Sequence, residues 1–291
     1  MATPAQWWEG ARPRTLPAAI APVAVGSGVA AYEGAFFAPQ ALLALVVALA
    51  LQVGVNYAND YSDGVRGTDA ERVGPMRLTA SAAAAPHEVK TAALAMFAVA
   101  AVAGLGLVVW TQVWWLLLVG VAAIVAAWYY TGGRSPYGYR GLGELSVFVF
   151  FGLVAVVGTA FVQTEQLTTL AFVAAVPVGL LASALLVVNN LRDRPPDEAV
   201  GKLTLAVRIG DRRTRLLYVT MLVLALAGGV VVAVGWTEWA LLTLLAIIPG
   251  LPPAGAVLRG ATGRELIVAL RDTGRTQLLF GLTLAAGLAL G

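Results

Sequence analysis

The chain of 291 residues is 59% hydrophobic and only 12% charged, which is about half the charged fraction of ordinary soluble domains. This composition excludes a typical soluble protein, because too little polar surface is available to cover a folded chain of this length. The sequence has no cysteine and a single histidine, His87, which excludes disulfides, thiolate nucleophiles and metal sites built from cysteine or clustered histidine. The N-terminal segment lacks a small-residue cleavage site after a short apolar core, so its first long apolar run is expected to be a retained span.

Apolar runs of about 20 residues, the length that spans a bilayer as a helix, recur along the whole sequence. They predict an all-α polytopic membrane bundle of nine transmembrane helices, in a single domain over residues 1–291. The predicted spans are Leu16–Tyr32, Pro39–Ala58, Val89–Val109, Val113–Tyr130, Leu142–Val162, Thr168–Leu191, Leu216–Val234, Thr237–Leu258 and Thr276–Leu290.

Charge placement predicts the orientation of this bundle. All nineteen Lys and Arg residues group with the N-terminus or with the loops that follow even-numbered spans. Because Lys and Arg concentrate in cytoplasmic loops, the N-terminus and those loops are expected to face the cytoplasm. The odd number of spans then places the C-terminus outside. We expect a multi-pass protein of the plasma membrane whose active site opens toward the cytoplasm.

A cluster of acids and amides follows the second predicted span. Asn56, Asp60 and Asp63 are spaced so that one face of a helix presents all three, and Asn59 lies beside them. Carboxylates at the edge of an apolar span are costly and mark functional sites. The spacing therefore predicts a polar site at the inner end of this helix.

A second cluster follows the sixth span and repeats the pattern. Pro195 and Pro196 predict that the helix ends before the last acid, which would then approach from a loop. The matching positions indicate a four-span pseudo-repeat whose halves face each other across a cavity. The cluster consists of Asn189, Asn190, Asp193 and Asp197.

The two clusters together predict a metal and an anion. Carboxylate and amide oxygens suit Mg²⁺, which is commonly held by one or two carboxylates and by substrate phosphates. Guanidinium groups match phosphate oxygens, so the surrounding bases favour a Mg²⁺-bound diphosphate that carries an apolar tail. Arg66 and Arg72 are candidate diphosphate ligands. The bases around the clusters are Arg66, Arg72, Arg77, Arg192, Lys202 and Arg208.

Three segments, NYANDYSDGVRGTDAERVGPMRLTAS, YYTGGRSPYGYRGLGE and NNLRDRPPDEAVGKLTLAVRIGD, carry a resemblance to a known family. The chain resembles the UbiA superfamily of intramembrane prenyltransferases over nearly its whole length, and within it the 1,4-dihydroxy-2-naphthoate polyprenyltransferases of menaquinone synthesis. The resemblance implies Mg²⁺-dependent transfer of a polyprenyl group from polyprenyl diphosphate to 1,4-dihydroxy-2-naphthoate, with loss of CO₂ and diphosphate, to give demethylmenaquinol. The expected partners are these two substrates and the lipid bilayer, without nucleic acid or an obligate protein partner.

The resemblance also implies residue roles. Lys202 and Arg208 would hold diphosphate oxygens. Tyr130 and Arg134 fall where the superfamily often has a Tyr-x-x-x-Lys pair, with Arg in place of Lys. Gly67 replaces a third aspartate found in many members. Further candidates for the substrate pocket are Asn59, Asp69, Tyr139 and Asn189, and the implied Mg²⁺ ligands are Asn56, Asp60, Asp63, Asn190, Asp193 and Asp197, whose four aspartates are also the catalytic candidates.

Two alternatives stay open at the level of sequence. Another acceptor, such as 4-hydroxybenzoate, homogentisate, a phosphoribosyl donor pair or a glyceryl phosphate lipid, would keep the fold and change the ring pocket. An ion-coupled transporter would also carry acids within its spans. Transporters are expected to show inverted repeats and charges near the bilayer midplane, whereas this pseudo-repeat is parallel and its acids lie at one face.

Overall fold

The computed structural model describes residues 2–67 and 76–291, and every regular element in those ranges is helical. Asp69 and Arg72, both predicted to belong to the site, lie outside the described residues. The helices are α1 (Pro4–Gly10), α2 (Pro17–Tyr32), α3 (Ala38–Arg66), α4 (Pro86–Thr111), α5 (Leu116–Tyr129), α6 (Gly143–Val147), α7 (Ala155–Thr164), α8 (Thr169–Ala199), α9 (Leu205–Gly235), α10 (Ile247–Leu258) and α11 (Gly263–Leu290). A π-helical turn, Phe148–Val154, joins α6 to α7, and short 3₁₀ segments lie at Pro13–Thr15, Tyr137–Arg140 and Glu238–Ala246.

In the two described ranges, six helical segments are long and apolar enough to cross a membrane, or seven if the bent pair of α1 and α2 counts as one span. The all-α membrane class is therefore confirmed. Each of the nine predicted spans coincides with a helix or with consecutive helices, but α5 has only 14 residues and α11 begins with a charged stretch. Length and composition alone thus support fewer spans than the nine predicted.

The end of α8 differs from the sequence-based prediction. The prediction that this helix stops before Asp197 is wrong, because α8 continues through Pro195 and Pro196 to Ala199. Each proline removes one N–H donor, but its fixed φ is compatible with a helix. The following turn is closed by other bonds, from the Val200 N–H to the Pro196 carbonyl and from the Lys202 N–H to the Asp197 carbonyl. Asp197 thus lies on α8, one turn beyond Asp193.

The second cluster is carried by the most enclosed helix among the candidate spans. In α8, 72% of the most apolar window is buried, against at most 39% in the others. Close packing of small residues contributes to this enclosure: a Cβ placed on Gly152 of the π-helical turn would lie 2.6 Å from the Cα of Gly179 on α8. Only glycine allows two backbones to approach so closely, and this contact fixes the π-helical turn beside α8.

The connections that carry Lys and Arg meet at one end of the bundle. The Asn56 side chain of α3 donates to the Ala11 carbonyl at the end of α1. Tyr139, between α5 and α6, donates to Asp63 of α3, and Lys202, after α8, lies beside the same carboxylate. These contacts bring the N-terminal segment and the loops after the second, fourth and sixth predicted spans to one site.

The connections without Lys or Arg lie together at the opposite end. The Phe37 N–H donates to Gln163 Oε1 over 3.1 Å, and the Tyr32 hydroxyl donates to the Trp236 carbonyl over 3.3 Å. Alternate connections therefore occupy opposite ends of the bundle, which agrees with the alternation seen in the charge pattern.

Candidate active site

The first cluster lies on the last three turns of α3. The helix extends to Arg66 and ends at Gly67, whose φ of 73° is left-handed. Glycine adopts this conformation without steric cost, so it suits the end of the helix. The Gly67 N–H bonds back to the Asp63 carbonyl. This cap holds the Asp63 side chain on a regular helical turn.

Asp63 is the centre of the site. Its carboxylate is 2% exposed and accepts a 2.6 Å hydrogen bond from the Tyr139 hydroxyl. Arg77 Nη2 lies 3.7 Å away, and Lys202 Nζ lies 3.9 Å away. A buried carboxylate needs such partners, because removing its charge from water is costly.

Lys202 joins the two acid clusters. Its ammonium lies 3.5 Å from Asp197 Oδ1 as well as 3.9 Å from Asp63 Oδ2. It also lies 4.8 Å from the centre of the Tyr139 ring, a distance at which a cation is attracted to the ring face. The structure therefore brings the two predicted clusters together, with one basic residue between their acids.

Asp193 is paired within its own helix. Both carboxylate oxygens accept from Arg192, over 2.7 and 2.8 Å. Arg192 also donates to Asn189 Oδ1 over 2.9 Å. This bidentate pair compensates two buried charges at the cavity wall.

Asp60 faces a neighbouring turn. Its Oδ2 accepts the Leu78 N–H over 2.7 Å, and its Oδ1 accepts the Thr79 N–H over 2.9 Å. These bonds attach the chain beyond the undescribed segment to α3. Because Arg77 precedes this turn, Asp60 also fixes the backbone that carries Arg77 toward Asp63.

The amide of Asn56 orients the N-terminal segment. Its Nδ2 donates to the Ala11 carbonyl over 2.9 Å and to Thr15 Oγ1 over 3.1 Å. Gln52 donates to the same hydroxyl oxygen over 3.1 Å. The segment between α1 and α2 is therefore attached to the face of α3 that carries the first cluster.

Asn190 has a partner that sequence reasoning missed. Its Nδ2 donates to Glu144 Oε1 over 3.0 Å, and both residues are buried. This bond fixes the orientation of the Asn190 amide at the wall of the cavity that Asn190 lines. Glu144 lies at the start of the fifth predicted span, and an acid at the edge of an apolar run is the signal that singled out the first cluster.

Two of the predicted bases bind backbone carbonyls. Arg66 donates to the Thr131 and Gly133 carbonyls and lies 5.4 Å from the centre of the Tyr139 ring. Arg208 is exposed, and its Nε donates to the Leu203 carbonyl over 3.2 Å. Both arginines hold loops at the rim of the site.

The remaining pocket candidates lie around the connection between α5 and α6. Asn59 accepts from the Thr131 hydroxyl over 2.7 Å. Tyr130 lines the cavity and packs edge to face against Tyr137. Burial raises the pKa of the Tyr137 phenol, so this group is a neutral hydrogen-bond donor. Arg134 is exposed.

A cavity of about 420 Å³ connects this polar end to the apolar interior. Its mouth is lined by Asp63, Arg77, Asp193 and Lys202, and it continues between helices α2 to α5, α8 and the π-helical turn. Such a shape suits a ligand with a charged head and an apolar tail. Apolar walls of the inner part include Val47, Leu51, Leu117, Ile124, Phe150 and Leu186.

The donor set fits a hard cation that is held partly by protein carboxylates and partly by the oxygens of a diphosphate. Within the part of the chain that the structure describes, no group of three or more His, Cys, Asp or Glu side chains could hold a metal ion. Asp63 and Asp197 instead approach one ammonium group from two helices. Mg²⁺ is commonly held by one or two carboxylates and completes its shell from phosphates and water, so these residues fit it.

Fold and site together define a multi-pass helical membrane protein whose cavity joins a charged mouth to an apolar interior. The model of the UbiA prenyltransferase family matches residues 19–265. The chain belongs to this family, which confirms the resemblance seen in its motifs.

Relatives and solved structures agree with this assignment. The chain is 52% identical to the 1,4-dihydroxy-2-naphthoate octaprenyltransferase of Mycobacterium tuberculosis, over 100% of this chain and 99% of that protein. The apo structure of a UbiA homolog from Aeropyrum pernix K1 is similar in fold, with a TM-score of 0.69 and 16% identity over 94% of this chain and 97% of the other. A UbiA homolog from Archaeoglobus fulgidus, solved with GPP and Mg²⁺, has a TM-score of 0.66 and 13% identity over 97% and 99%.

Proposed function

We propose that this protein transfers a polyprenyl group from polyprenyl diphosphate to 1,4-dihydroxy-2-naphthoate, in menaquinone biosynthesis. The observation that carries the proposal is the joining of both acid clusters by Lys202 at the mouth of an apolar cavity. The acceptor is inferred from the full-length relative at 52% identity, whose name specifies dihydroxynaphthoate.

The diphosphate is expected to bind between the two clusters. Lys202 and Arg77 supply positive charge beside Asp63, and Arg66, Arg208 and the undescribed Arg72 are proposed to support the rim. The prenyl tail would follow the apolar walls between the helices, where burial of its methyl and methylene groups is favourable.

Mg²⁺ is the proposed cofactor. When bound, it would neutralise charge on the diphosphate and assist departure of this group as a Lewis acid. Asp63 and Asp197 are the most direct candidates to hold it, because they approach the same point from different helices. The full proposed ligand set is Asn56, Asp60, Asp63, Asn190, Asp193 and Asp197.

The reaction starts with cleavage of the allylic C–O bond, whose electron pair leaves with the diphosphate. Lys202 and Arg77 stabilise the negative charge that develops there. The ring faces of Tyr139 and Tyr130 are suited to stabilise the allylic cation, and the apolar walls exclude water that would otherwise capture it.

Carbon–carbon bond formation completes the transfer. An electron pair of the naphthoate ring forms the new bond at the carbon that bears the carboxylate. That carboxylate leaves as CO₂, and its bonding pair restores the aromatic ring, so no net proton transfer and no strong protein base are required. The products are demethylmenaquinol, CO₂ and diphosphate.

The proposed setting is the plasma membrane. We propose one domain over residues 1–291 with nine spans, a cytoplasmic N-terminus, an external C-terminus and a site that opens to the cytoplasm. The convergence of the Lys- and Arg-bearing connections at the end that holds the acid clusters supports this orientation.

Product mass spectrometry tests the proposed reaction. Purified protein in lipid is incubated with Mg²⁺, a polyprenyl diphosphate and either 1,4-dihydroxy-2-naphthoate or 4-hydroxybenzoate. We expect a decarboxylated prenyl naphthoquinol from the first acceptor only. Prenylated hydroxybenzoate, or no product from dihydroxynaphthoate, would contradict the proposed acceptor.

A further inference from the structure

A second cavity adjoins the site and is dominated by arginine. It has a volume of about 310 Å³ and lies between the N-terminal segment, α8 and α11. Arg12, Arg77 and Asn189 line both cavities, so the two spaces meet at these side chains. Of the residues that the structure describes, four arginines and a single acid, Glu9, line the second cavity. The arginines are Arg12, Arg14, Arg77 and Arg192.

Two of these arginines contact the acid clusters. Arg192 forms its bidentate pair with Asp193, and Arg77 lies 3.7 Å from Asp63. Arg12 and Arg14 come from the segment between α1 and α2. Arg14 is exposed, whereas Arg12 is partly buried and its Nη2 atom is enclosed. Arg12 therefore lies at the inner side of the cavity and Arg14 at its open side.

The backbone holds Arg12 in an unusual conformation. Its φ of 55° and ψ of 68° are left-handed, which is uncommon for a residue other than glycine. Bonds on both sides fix it, because Asn56 donates to the Ala11 carbonyl and the Thr15 hydroxyl donates to the Arg12 carbonyl over 2.9 Å. Strained backbone persists where the surroundings over-determine it, often at ligand-binding positions.

Each of the two cavities provides a different kind of anion site. The space around Lys202 contains carboxylates that attract Mg²⁺, and it suits an anion that binds through the metal. The second cavity offers guanidinium groups that bind an anion directly. The proposed reaction has two anionic groups of these kinds, the diphosphate of one substrate and the carboxylate of the other.

We propose that Arg12 binds the carboxylate of the aromatic acceptor, with Arg14 adding positive charge at the entrance. The inference rests on the proposed function and adds the residue that selects an acceptor with a carboxylate. Bound there, the carboxylate lies beside the mouth of the main cavity, and the ring faces the space that receives the prenyl cation. The open side at Arg14 lets a water-borne acceptor enter without crossing the apolar channel.

The test compares Arg12→Gln with Arg213→Gln, an exposed arginine of α9 that lines neither cavity. Michaelis constants are measured under anaerobic conditions for dihydroxynaphthoate and for polyprenyl diphosphate. The inhibition constant of 1,4-naphthalenediol, which lacks the carboxylate, is measured against dihydroxynaphthoate. We expect Arg12→Gln to raise the KM of dihydroxynaphthoate ~10- to 100-fold, as the loss of a charge-assisted bond predicts. The KM of polyprenyl diphosphate and the inhibition constant of 1,4-naphthalenediol should not change. Arg12→Lys should retain part of the affinity, and Arg213→Gln should match the wild type.

Several outcomes would overturn the inference while leaving the proposed function intact. One is a wild-type KM for dihydroxynaphthoate in a folded Arg12→Gln variant, and another is a rise in the KM of polyprenyl diphosphate instead. If Arg12→Gln does not fold, the wild type still tests the proposal, because equal affinity for the acid and the diol would exclude a carboxylate site. Failure of the wild type to prenylate dihydroxynaphthoate would instead contradict the proposed function.

Discussion

Asp60 shows how one residue can serve both the fold and the site. Its two oxygens accept the Leu78 and Thr79 N–H groups, and each oxygen retains a lone pair for a metal. Asparagine can accept only one of these bonds, and its NH₂ group would face the other N–H. We expect Asp60→Asn to destabilise the protein by about 1–3 kcal/mol, in addition to its effect on activity.

Thermal unfolding in detergent checks this expectation. The matched control is Glu198→Gln, since Glu198 is an exposed acid of α8 in a surface ion pair with Arg194, and such pairs contribute little. Asp60→Asn should unfold at a clearly lower temperature than the control. A wild-type unfolding temperature combined with lost Mg²⁺ dependence would mean that Asp60 acts on the metal alone.

At the residue scale, the sequence identified the acids but not the partners that orient them. Spacing along the helix was sufficient to put Asp63 on one face with the rest of its cluster. The pairing of Asn190 with Glu144 and the placement of Arg12 by Asn56 depend on contacts between segments far apart in the chain. Local pattern carries no information about such contacts.

At the scale of elements, the π-helical turn is the feature that shapes the apolar part of the cavity. Phe150 and Phe151 of this turn line the cavity, and Gly152 rests against Gly179. We expect Gly152→Val to push the turn away from α8, because its side chain would meet backbone that cannot move aside. Overpacking of this kind costs about 1–3 kcal/mol, and it should weaken binding of the prenyl tail.

The control for this variant is Gly106→Val in α4, where an added Cβ would make only an ordinary contact, 3.8 Å from Leu43. Apparent unfolding temperature and the KM of a long polyprenyl diphosphate are compared for both variants. Gly152→Val should lower the unfolding temperature and raise the KM. The control variant should change both quantities little. Equal behaviour of the two variants would show that the glycine contact does not position the turn.

Apolar run lengths were sufficient to locate the helices, because the bilayer-spanning length is a strong signal. They failed at the end of α8, where two prolines predicted a break that the structure lacks. Proline removes hydrogen bonds locally, but its fixed φ fits a helix, and bonds from the Val200 and Lys202 N–H groups close the turn that follows. The packing of the π-helical turn against α8 also left no sequence signal, because it depends on the close contact of two glycines in different segments.

At the scale of the whole molecule, the orientation in the membrane can be tested from the termini. With nine spans, tags at the N-terminus and the C-terminus should report opposite sides, with the N-terminus inside. The physical reason is the grouping of all Lys and Arg residues with alternate connections. Protease protection of each tag in sealed inside-out vesicles measures this directly. If both tags lie on the same side of the membrane, the number of spans is even and the prediction of nine is wrong.

The joining of the two halves of the bundle at one site predicts how Mg²⁺ and diphosphate bind. Because Asp63 and Asp197 approach the same point, a metal there would neutralise carboxylates and phosphates together. Each ligand should then strengthen the binding of the other by the same factor. We therefore expect the affinity for polyprenyl diphosphate to fall at least about tenfold when Mg²⁺ is chelated.

Variants separate the metal from the bases in this binding. Lys202→Gln should weaken diphosphate binding and retain its dependence on Mg²⁺, because an ammonium group attracts the anion but cannot be a ligand of the metal. Asp63→Asn should lose most of that dependence, since one carboxylate of the proposed metal site is removed. Binding is measured by calorimetry with a non-hydrolysable polyprenyl diphosphate analogue, with and without chelator. If the wild type binds the analogue equally well with and without chelator, the acids of α3 and α8 do not form a magnesium site. Their burial beside Lys202 would then serve only to hold the two halves of the bundle together.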